Sequence, residues 1–239
     1  MEQKNKINSE EKRGLDRRGF ISASSLAAIG AIGTAGLLHS CSGKPKKPEL
    51  KLPVLLNQAP DGKVLKAGLI GCGGRGTGAA INFLDAGPNL EIAALGDVFK
   101  DKLDQCREQL KKQKNVEVPD EKCFVGFDSF EKVIDSGVDI VLLTTPPHFR
   151  PAHVEAAVNA GKHIFMEKPI AVDPVGARKV MVAAKRAAEK ELSMVSGTIR
   201  RVQKDFMETQ RRVASGQIGD IVSAHIIRNG GSLWVIQRQ

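Results

Sequence analysis

Short apolar runs alternate with amphipathic stretches through the middle of the chain. Apolar runs predict strands at 64–71, 91–96, 123–125, 140–143, 163–166 and 192–196. Apolar residues at helical spacing predict helices at 77–86, 100–114, 129–135, 150–160 and 174–190. Runs that are apolar throughout, such as 140–143, suit strands buried on both faces. The alternation therefore predicts an α/β fold of Rossmann type, with a doubly wound parallel sheet.

The first 40 residues have the pattern of an export leader. A charged stretch ends in Arg17-Arg18, and residues 20–38 are apolar and small. Paired arginines before such a stretch resemble a twin-arginine signal. Nineteen residues are also long enough for a membrane-spanning helix, but the three glycines and several hydroxyl residues favour the leader.

A lipid attachment site is predicted at the end of this leader. Residues 38–41 read Leu-His-Ser-Cys and resemble a bacterial lipobox, which would make Cys41 the lipid-bearing first residue of the mature protein. The alternative is an ordinary Cys41 thiol beside a simple cleavage site. Residues 41–63 are rich in proline and lysine and predict a linker. Together these features predict an exported protein, either periplasmic or lipid-anchored on the outer side of the inner membrane.

Composition argues against nucleic-acid binding and a metal site. The net charge is +9, but much of the basic excess lies in the leader and linker, and only 4% of residues are aromatic, so few side chains are available to stack on bases. Beyond Cys41, the cysteines Cys72, Cys106 and Cys123 show no C-x-x-C spacing. They are therefore predicted to be buried or half-buried thiols, with no metal ligand among them.

A glycine loop supplies the first candidate chemistry. Residues 71–76 read Gly-Cys-Gly-Gly-Arg-Gly and match G-x-G-x-x-G between a predicted strand and a predicted helix. Gly71 permits a tight turn, Gly73 lets the backbone approach a pyrophosphate, and Gly76 allows close packing of helix on strand. The predicted cofactor contacts are Gly71, Gly73, Gly74, Arg75 and Gly76, with Arg75 adding a charge-assisted bond. A glycine-rich turn without a ligand is the alternative.

The second strand ends in an acid that fits a ribose. Asp97 lies 21 residues beyond Gly76, where a carboxylate can accept hydrogen bonds from both ribose hydroxyls of adenosine. It would repel a 2′-phosphate, so NAD is favoured over NADP. Lys100 and Lys102 follow and soften that preference, which leaves NADP open. The alternative role for Asp97 is to cap the next helix.

Two further motifs carry a family resemblance. Thr144-Thr145-Pro146-Pro147-His148 follows the fourth predicted strand, and Glu167-Lys168-Pro169 follows the fifth, with Gly161-Lys162-His163 ahead of it. With the glycine loop, residues 64 to about 228 resemble the Gfo/Idh/MocA oxidoreductases. The resemblance implies a Rossmann domain at 64–200, followed by a C-terminal α/β domain with a large open sheet. It also implies NAD(P)-dependent redox chemistry at a carbinol carbon of sugars, cyclitols or their derivatives.

The resemblance also assigns roles to single residues. It makes Lys168 the catalytic lysine, also in contact with the cofactor, and places Glu167 beside the nicotinamide ribose. Thr145, Pro146 and His148 match the loop that passes the cofactor. For Glu167 and Lys168, the alternative is a surface ion pair.

The chain departs from the family pattern at one position. Arg150 stands where many relatives have a second histidine, and an arginine cannot carry a proton. We expect it to bind an anionic substrate group or to face solvent. His153 follows on the same predicted helix and is expected at the helix surface rather than as a surrogate.

Residues 201–239 predict only the beginning of a second domain, with a helix at 203–215 and a strand at 221–228. Relatives continue with an aspartate and a histidine that complete the acid–base set, so the sequence is interpreted as truncated. The function predicted for the full-length enzyme is hydride transfer at a CH–OH carbon of a sugar-like molecule, in a homo-oligomer. The alternatives are an NAD-dependent glycosidase without net redox and a non-catalytic cofactor-binding fragment.

Overall fold

The computed structural model describes residues 61–227 and 229–230. The predicted leader, the predicted lipid site at Cys41 and most of the predicted linker lie outside the described residues, and the predictions about them stand as predictions. Within the described ranges, no helix is long and apolar enough to cross a membrane.

Six parallel strands form one sheet in the order β3-β2-β1-β4-β5-β6. The strands are β1 (Leu65–Ile70), β2 (Leu90–Asp97), β3 (Cys123–Val125), β4 (Ile140–Leu143), β5 (His163–Met166) and β6 (Met194–Ser196). Helices connect the strands, so the predicted doubly wound α/β fold is confirmed. The strand order reverses between β1 and β4, and ligands of such sheets bind outside the carboxyl ends of the strands at this reversal.

The described part of the chain also contains six α-helices and two short 3-10 helices, the latter at Asp120–Lys122 and Ile199–Arg201. The α-helices are α1 (Gly74–Leu84), α2 (Lys100–Lys114), α3 (Ser129–Asp135), α4 (Arg150–Asn159), α5 (Pro174–Glu189) and α6 (Lys204–Ala214). Helix α1 begins three residues before its predicted start at Thr77, because Gly73 is its N-cap and the amide of Thr77 donates to the Gly73 carbonyl at 2.9 Å. The helix therefore begins inside the glycine loop, which brings its N-terminal amides to the edge of the sheet.

The predicted strand at 221–228 is wrong for the residues that the structure describes there. Residues 221–227 have no strand conformation, and no described strand pairs with them. An isolated strand has only unpaired backbone groups, so apolar spacing alone does not make one.

Apolar side chains fill both faces of the sheet. One cluster lies under α3, α4 and α5 and includes Leu143, Val154 and Val180, while the other lies under α1 and α2 and includes Leu95 and Leu110. The cysteine prediction is confirmed in the second cluster, since Cys72 and Cys106 are buried and Cys123 is half-buried. A sheet covered on both faces leaves its carboxyl edge as the place where polar groups are exposed.

Candidate functional site

The predicted site residues gather at one edge of the sheet. The glycine loop follows β1, Asp97 ends β2, the loop 144–148 follows β4, and Glu167 and Lys168 follow β5. Because all these strands are parallel, their carboxyl ends meet at the same edge. The residues that the sequence placed far apart thus lie along one crevice across the strand-order reversal.

The glycine loop is closed towards the sheet and open towards the crevice. Gly71 has a φ of +99°, and a Cβ at Gly76 would lie 1.8 Å from the Gly71 carbonyl oxygen, so a side chain cannot be placed there. A Cβ at Gly73 or Gly74 would meet nothing within 4 Å. The open side, lined by the first amides of α1, fits a diphosphate group.

Thr144, which belongs to the motif after the fourth strand but was given no role from the sequence, holds the glycine loop against β4. The Thr144 hydroxyl donates to the Gly71 carbonyl at 2.6 Å and lies 3.1 Å from the Ile70 carbonyl oxygen. Its position directly after an apolar strand was the available signal. Thr144 fixes the first turn of the loop and thereby the direction of the amides that follow.

Asp97 is bonded to the glycine loop. Its Oδ2 accepts from the amide of Cys72 at 2.6 Å, and its Oδ1 accepts from the amide of Phe99 at 2.9 Å. A carboxylate oxygen has a second lone pair, so both oxygens can still accept a hydroxyl donor. The alternative role as a helix cap is wrong, because the N-cap of α2 is Phe99.

An aromatic cleft beside Asp97 was not foreseen from the sequence. Phe99, Phe127 and Phe149 border a cleft of about 440 Å³ that also contains Pro146 and Asp97. The Phe127 and Phe149 rings lie 6.4 Å apart at an angle of 45°. Each phenylalanine follows a strand end by a few residues, a spacing that has meaning only once the strand order is known. The cleft offers apolar faces for a flat ring next to a carboxylate.

The two lysines beyond Asp97 are placed differently. The Lys100 ammonium bonds both carboxylate oxygens of Asp104, at 2.7 and 2.9 Å, along the surface of α2. Lys102 borders the same cleft as Asp97 and lies 3.3 Å from Asp101. Of the two, Lys102 is therefore the cation nearer to the predicted ribose position.

His153 is buried, so the expectation that it lies at the helix surface is wrong. Its ring stacks on Phe130 with centroids 4.3 Å apart, and its Nδ1 lies 3.3 Å from the Thr145 hydroxyl. Burial lowers the pKa of His153 to about 4, so the imidazole is neutral at pH 7. His148, in contrast, is exposed and meets the edge of Phe149.

Glu167 and Arg75 form an ion pair across the crevice. Glu167 is 6% exposed and accepts from the Arg75 guanidinium, while its carboxylate also lies against Gly197. The alternative, a surface ion pair between Glu167 and Lys168, is therefore wrong. Glu167 is buried, and its partner is Arg75. The pair joins the first turn of α1 to the end of β5. The predicted contact of Arg75 with phosphate stays a prediction.

Lys168 lies two residues beyond the end of β5 and is exposed at the carboxyl edge. The sheet ladder ends one residue before it, where the amide of Glu167 donates to the Leu143 carbonyl at 3.0 Å. The peptide bond between Lys168 and Pro169 is cis. An exposed ammonium at this edge can hydrogen-bond a reacting hydroxyl.

Arg150 is 4% exposed, which contradicts the expectation that it faces solvent. Its Nη1 donates to the Glu167 carbonyl at 2.7 Å and to the Pro169 carbonyl. Burial lowers the pKa of this guanidinium, and the charge of Glu167 opposes the shift. A group that contacts two carbonyls beneath the turn is not directed at an anionic substrate, so that expectation is not supported either.

Comparison with known proteins also indicates a nucleotide-binding Rossmann domain. Residues 65–195 match the model of the Gfo/Idh/MocA oxidoreductase family, NAD-binding Rossmann fold. Inositol 2-dehydrogenase 1 of Saccharopolyspora erythraea is 32% identical over 107 residues, 44% of this chain and 31% of that protein. A glycosyl hydrolase family 109 protein of Shewanella pealeana is 25% identical over 218 residues, 90% of this chain and 47% of that protein.

Among solved structures, scyllo-inositol dehydrogenase of Lactobacillus casei with bound NAD(H) and scyllo-inositol is 28% identical, with a TM-score of 0.54. The match covers 66% of this chain and 43% of that one. The chain thus spans less than half the length of each of these proteins. The family match covers more than half of this chain and contains the glycine loop, Asp97 and Lys168. The chain therefore belongs to the Gfo/Idh/MocA oxidoreductase family and carries its NAD-binding Rossmann fold.

Proposed function

We propose that this chain binds NAD and forms the cofactor-binding part of an oxidoreductase that acts on a sugar, cyclitol or derivative. The observation that carries the proposal is the bond between Asp97 and the amide of Cys72. This bond holds a carboxylate suited to ribose directly beside a loop suited to diphosphate, and these two groups are neighbours in an adenosine diphosphate.

Different residues of the crevice bind different parts of the cofactor. The amides of residues 73–76 hold the diphosphate, and Asp97 accepts from the adenosine ribose. The cleft between Phe99, Phe127 and Phe149 takes the adenine ring. Glu167 and Lys168 then border the nicotinamide end, after β5, which is three strands from β2 and Asp97. Asp97 favours NAD, and Lys102 at the same cleft keeps some tolerance for NADP.

Bound NAD supplies a hydride acceptor, and Lys168 acts on the proton. Oxidation of a carbinol carbon to a carbonyl would release a hydride, for which NAD would be the acceptor, and the hydroxyl proton, which needs a base. The neutral amine of Lys168 would accept a hydrogen bond from that hydroxyl and then take its proton, which leaves the lysine as an ammonium. Neutral His153, whose Nδ1 lies 3.3 Å from the Thr145 hydroxyl, is assigned no role in this proton transfer.

The substrate class is supported by the relatives. The inositol 2-dehydrogenase named above and the structure that contains scyllo-inositol both have cyclitols in their names. A polyhydroxylated ring offers the CH–OH carbon that the proposed chemistry needs. The crevice edge beyond Lys168 is where such a ring meets the nicotinamide.

The cofactor assignment is tested by calorimetry on the purified chain. Asp97→Ala removes a charged acceptor, so NAD+ affinity should fall by about tenfold or more, and the gap between NAD+ and NADP+ should narrow. Glu189→Ala, an exposed acid at the end of α5 and away from the cleft, is the matched control and should change neither affinity. An unchanged NAD+/NADP+ ratio in the Asp97 variant would remove the ribose assignment.

The role of Lys168 is tested in an active enzyme that carries this domain. Lys168→Ala should nearly abolish the oxidation of inositols or sugars while NAD+ affinity stays within about twofold, because the diphosphate and ribose contacts are untouched. Lys179→Ala, an exposed lysine on α5, is the control. Full turnover by the Lys168 variant would refute the catalytic assignment.

A second candidate is an NAD-dependent glycosidase that oxidises and re-reduces its sugar in one turnover. The observation in its favour is the alignment with the family 109 glycosyl hydrolase, which covers 90% of this chain and so extends beyond 65–195. Net NADH formation from a free sugar supports the dehydrogenase. Release of an aglycone without net NADH supports the glycosidase.

We further propose that the protein is exported and assembles as a homo-oligomer. The support for export is sequence alone: Arg17-Arg18, the apolar stretch 20–38 and Cys41 in its lipobox-like context. Replacing both arginines by lysine should retain the protein in the cytoplasm, and Cys41→Ser should abolish incorporation of labelled fatty acid. Export of the double-lysine protein would overturn the twin-arginine assignment.

A further inference from the structure

Arg150 occupies a place that is costly for a charge. Its side chain is 4% exposed, its Nε has no hydrogen-bond partner within the described structure, and both of its bonded partners are backbone carbonyls. Burying a guanidinium away from water costs several kcal/mol unless hydrogen bonds compensate for it. Methionine or leucine would fill a similar volume without that cost. The presence of a charged residue at this position is therefore best explained by the two hydrogen bonds that Arg150 makes to backbone carbonyls.

The hydrogen bonds of Arg150 hold the backbone just beyond the last hydrogen bonds of the sheet. The backbone of β5 is held by β4 and β6 up to the amide of Glu167 and the carbonyl of Met166. Beyond that point the ladder has ended. The two carbonyls bonded by Arg150 belong to Glu167 and Pro169, the residues on either side of Lys168. One guanidinium nitrogen thus spans the backbone that carries the lysine.

The turn is also held from its other side, since the Arg75 guanidinium bonds the Glu167 carboxylate. The two arginines act on different groups, because Arg75 holds a side chain and Arg150 holds the main chain. The direction of the Cα–Cβ bond of Lys168 follows from the conformation of its main chain, which Arg150 contacts directly on both sides. Arg150 starts α4, whose buried face packs on the sheet, so it provides a rigid support.

We propose that Arg150 is a positioning residue for Lys168: it fixes the main chain on both sides of this lysine and so sets the direction in which the amine enters the crevice. The inference rests on the proposed function for the importance of Lys168, and it assigns no direct substrate contact to Arg150.

The test compares three variants of the full chain. Arg150→Met removes the charge and the donors at similar length, and Arg150→Lys keeps a charge and a donor. Arg107→Met is the matched control, because Arg107 also donates to a loop carbonyl, that of Val118 at 2.8 Å, but on α2. The chain is labelled with 15N and 13C in lysine, and the signals of Lys168 are assigned by their loss in Lys168→Arg.

The first readout needs no nucleotide. The backbone order parameter of Lys168 should be about 0.85 in the native chain and fall below about 0.6 in Arg150→Met, with an intermediate value in Arg150→Lys. Arg107→Met should match the native chain. An order parameter that stays near 0.85 in Arg150→Met would overturn the proposal.

The second readout concerns the amine itself. On saturation with NAD+, the ε-CH2 signal of native Lys168 should shift, and in Arg150→Met this shift should fall by about threefold or more. NAD+ affinity should stay within about threefold, since the glycine loop and Asp97 are untouched. A space-filling role would leave the shift unchanged in a folded Arg150→Met, and that result also overturns the proposal. Failure of the native chain to bind NAD+ would instead refute the proposed function, and the order parameter would still decide the role of Arg150.

Discussion

At the scale of single residues, burial separates side chains that the sequence presents as similar. Asp97 and Glu167 are both acids at strand ends, yet Asp97 faces the crevice while Glu167 is 6% exposed and paired with Arg75. His148 and His153 likewise lie in one segment, one exposed and one buried. A group that keeps contact with water can exchange partners with a ligand, whereas a buried group holds the structure around it.

The buried histidine predicts an acid sensitivity of the fold. The unfolded chain binds a proton at His153 near pH 6.5, whereas the folded chain does so only near pH 4. Between these values the unfolded state binds more protons, so the stability present above pH 6.5 is lost as pH falls towards 4, by at most about 3 kcal/mol. Urea unfolding of the native chain and His153→Phe at several pH values measures this. A slope as steep in the variant as in the native chain would contradict it.

The ion pair between Arg75 and Glu167 predicts a measurable coupling. Removing Arg75 leaves the buried carboxylate without its partner, so Arg75→Met should lower the free energy of unfolding by about 1 kcal/mol, a modest value because Arg75 is half exposed. In a Glu167→Gln background the same change should cost less, which a double-mutant cycle detects. Arg211→Met, in a pair with Glu208 that is exposed on both sides, serves as the control. Equal costs in both backgrounds would rule out the coupling.

At the scale of elements, the passage from β1 to α1 contains the tightest packing in the site. The loop is bound to β4 by Thr144 and to β2 through Asp97, and α1 begins within it. Gly73 and Gly76 belong to the same motif but have different surroundings. Gly76 faces protein backbone, whereas Gly73 faces open space.

Because of this difference, replacing Gly76 by alanine should lower stability, whereas replacing Gly73 by alanine should weaken NAD+ binding. Gly76→Ala should lower the free energy of unfolding by more than about 2 kcal/mol, because its Cβ would lie 1.8 Å from the Gly71 carbonyl oxygen. Gly73→Ala should change stability by less than about 0.5 kcal/mol but weaken NAD+ binding by about tenfold, since the methyl enters the diphosphate space. Denaturant unfolding and calorimetry measure both effects. A Gly73 variant with full NAD+ affinity would show that the open side of the loop is not the diphosphate site.

At the scale of the whole molecule, stability is concentrated in the centre of the sheet. β1 lies between β2 and β4, and its residues 67–70 are buried or enclosed by packed helices. In contrast, α6 contains no buried residue, although Phe206 and Val213 give it an apolar side. Contact density therefore falls along the chain after β6.

Hydrogen exchange should reproduce this gradient. Amides of β1 and β4 should exchange with opening free energies close to the global free energy of unfolding, while those of α6 should open at close to zero cost. Exchange of the full chain followed by mass spectrometry separates the two groups. Protection of α6 equal to that of β4 would mean that this helix is packed against the sheet in solution.

The local pattern of the sequence was sufficient for the elements and for the edge of the sheet at which they end. Apolar runs located the six described strands to within a few residues. The glycine loop and Asp97 were predicted from their positions at strand ends, whereas Lys168 was assigned through the family resemblance. Apolar runs and strand-end positions depend on neighbours in sequence, where periodicity and turn chemistry act directly. The apolar spacing at 221–227 failed because a strand also needs a partner, which spacing does not supply.

Only the tertiary structure decided which of these residues meet, and how deeply they are buried. Arg150 and His153 were expected to be accessible, and both are buried beneath the site. The three phenylalanines form one cleft only because β2, β3 and β4 are brought to one edge. The physical reason is that desolvation and contact depend on groups distant in the chain, and the strand order that unites those groups is not written in any single segment.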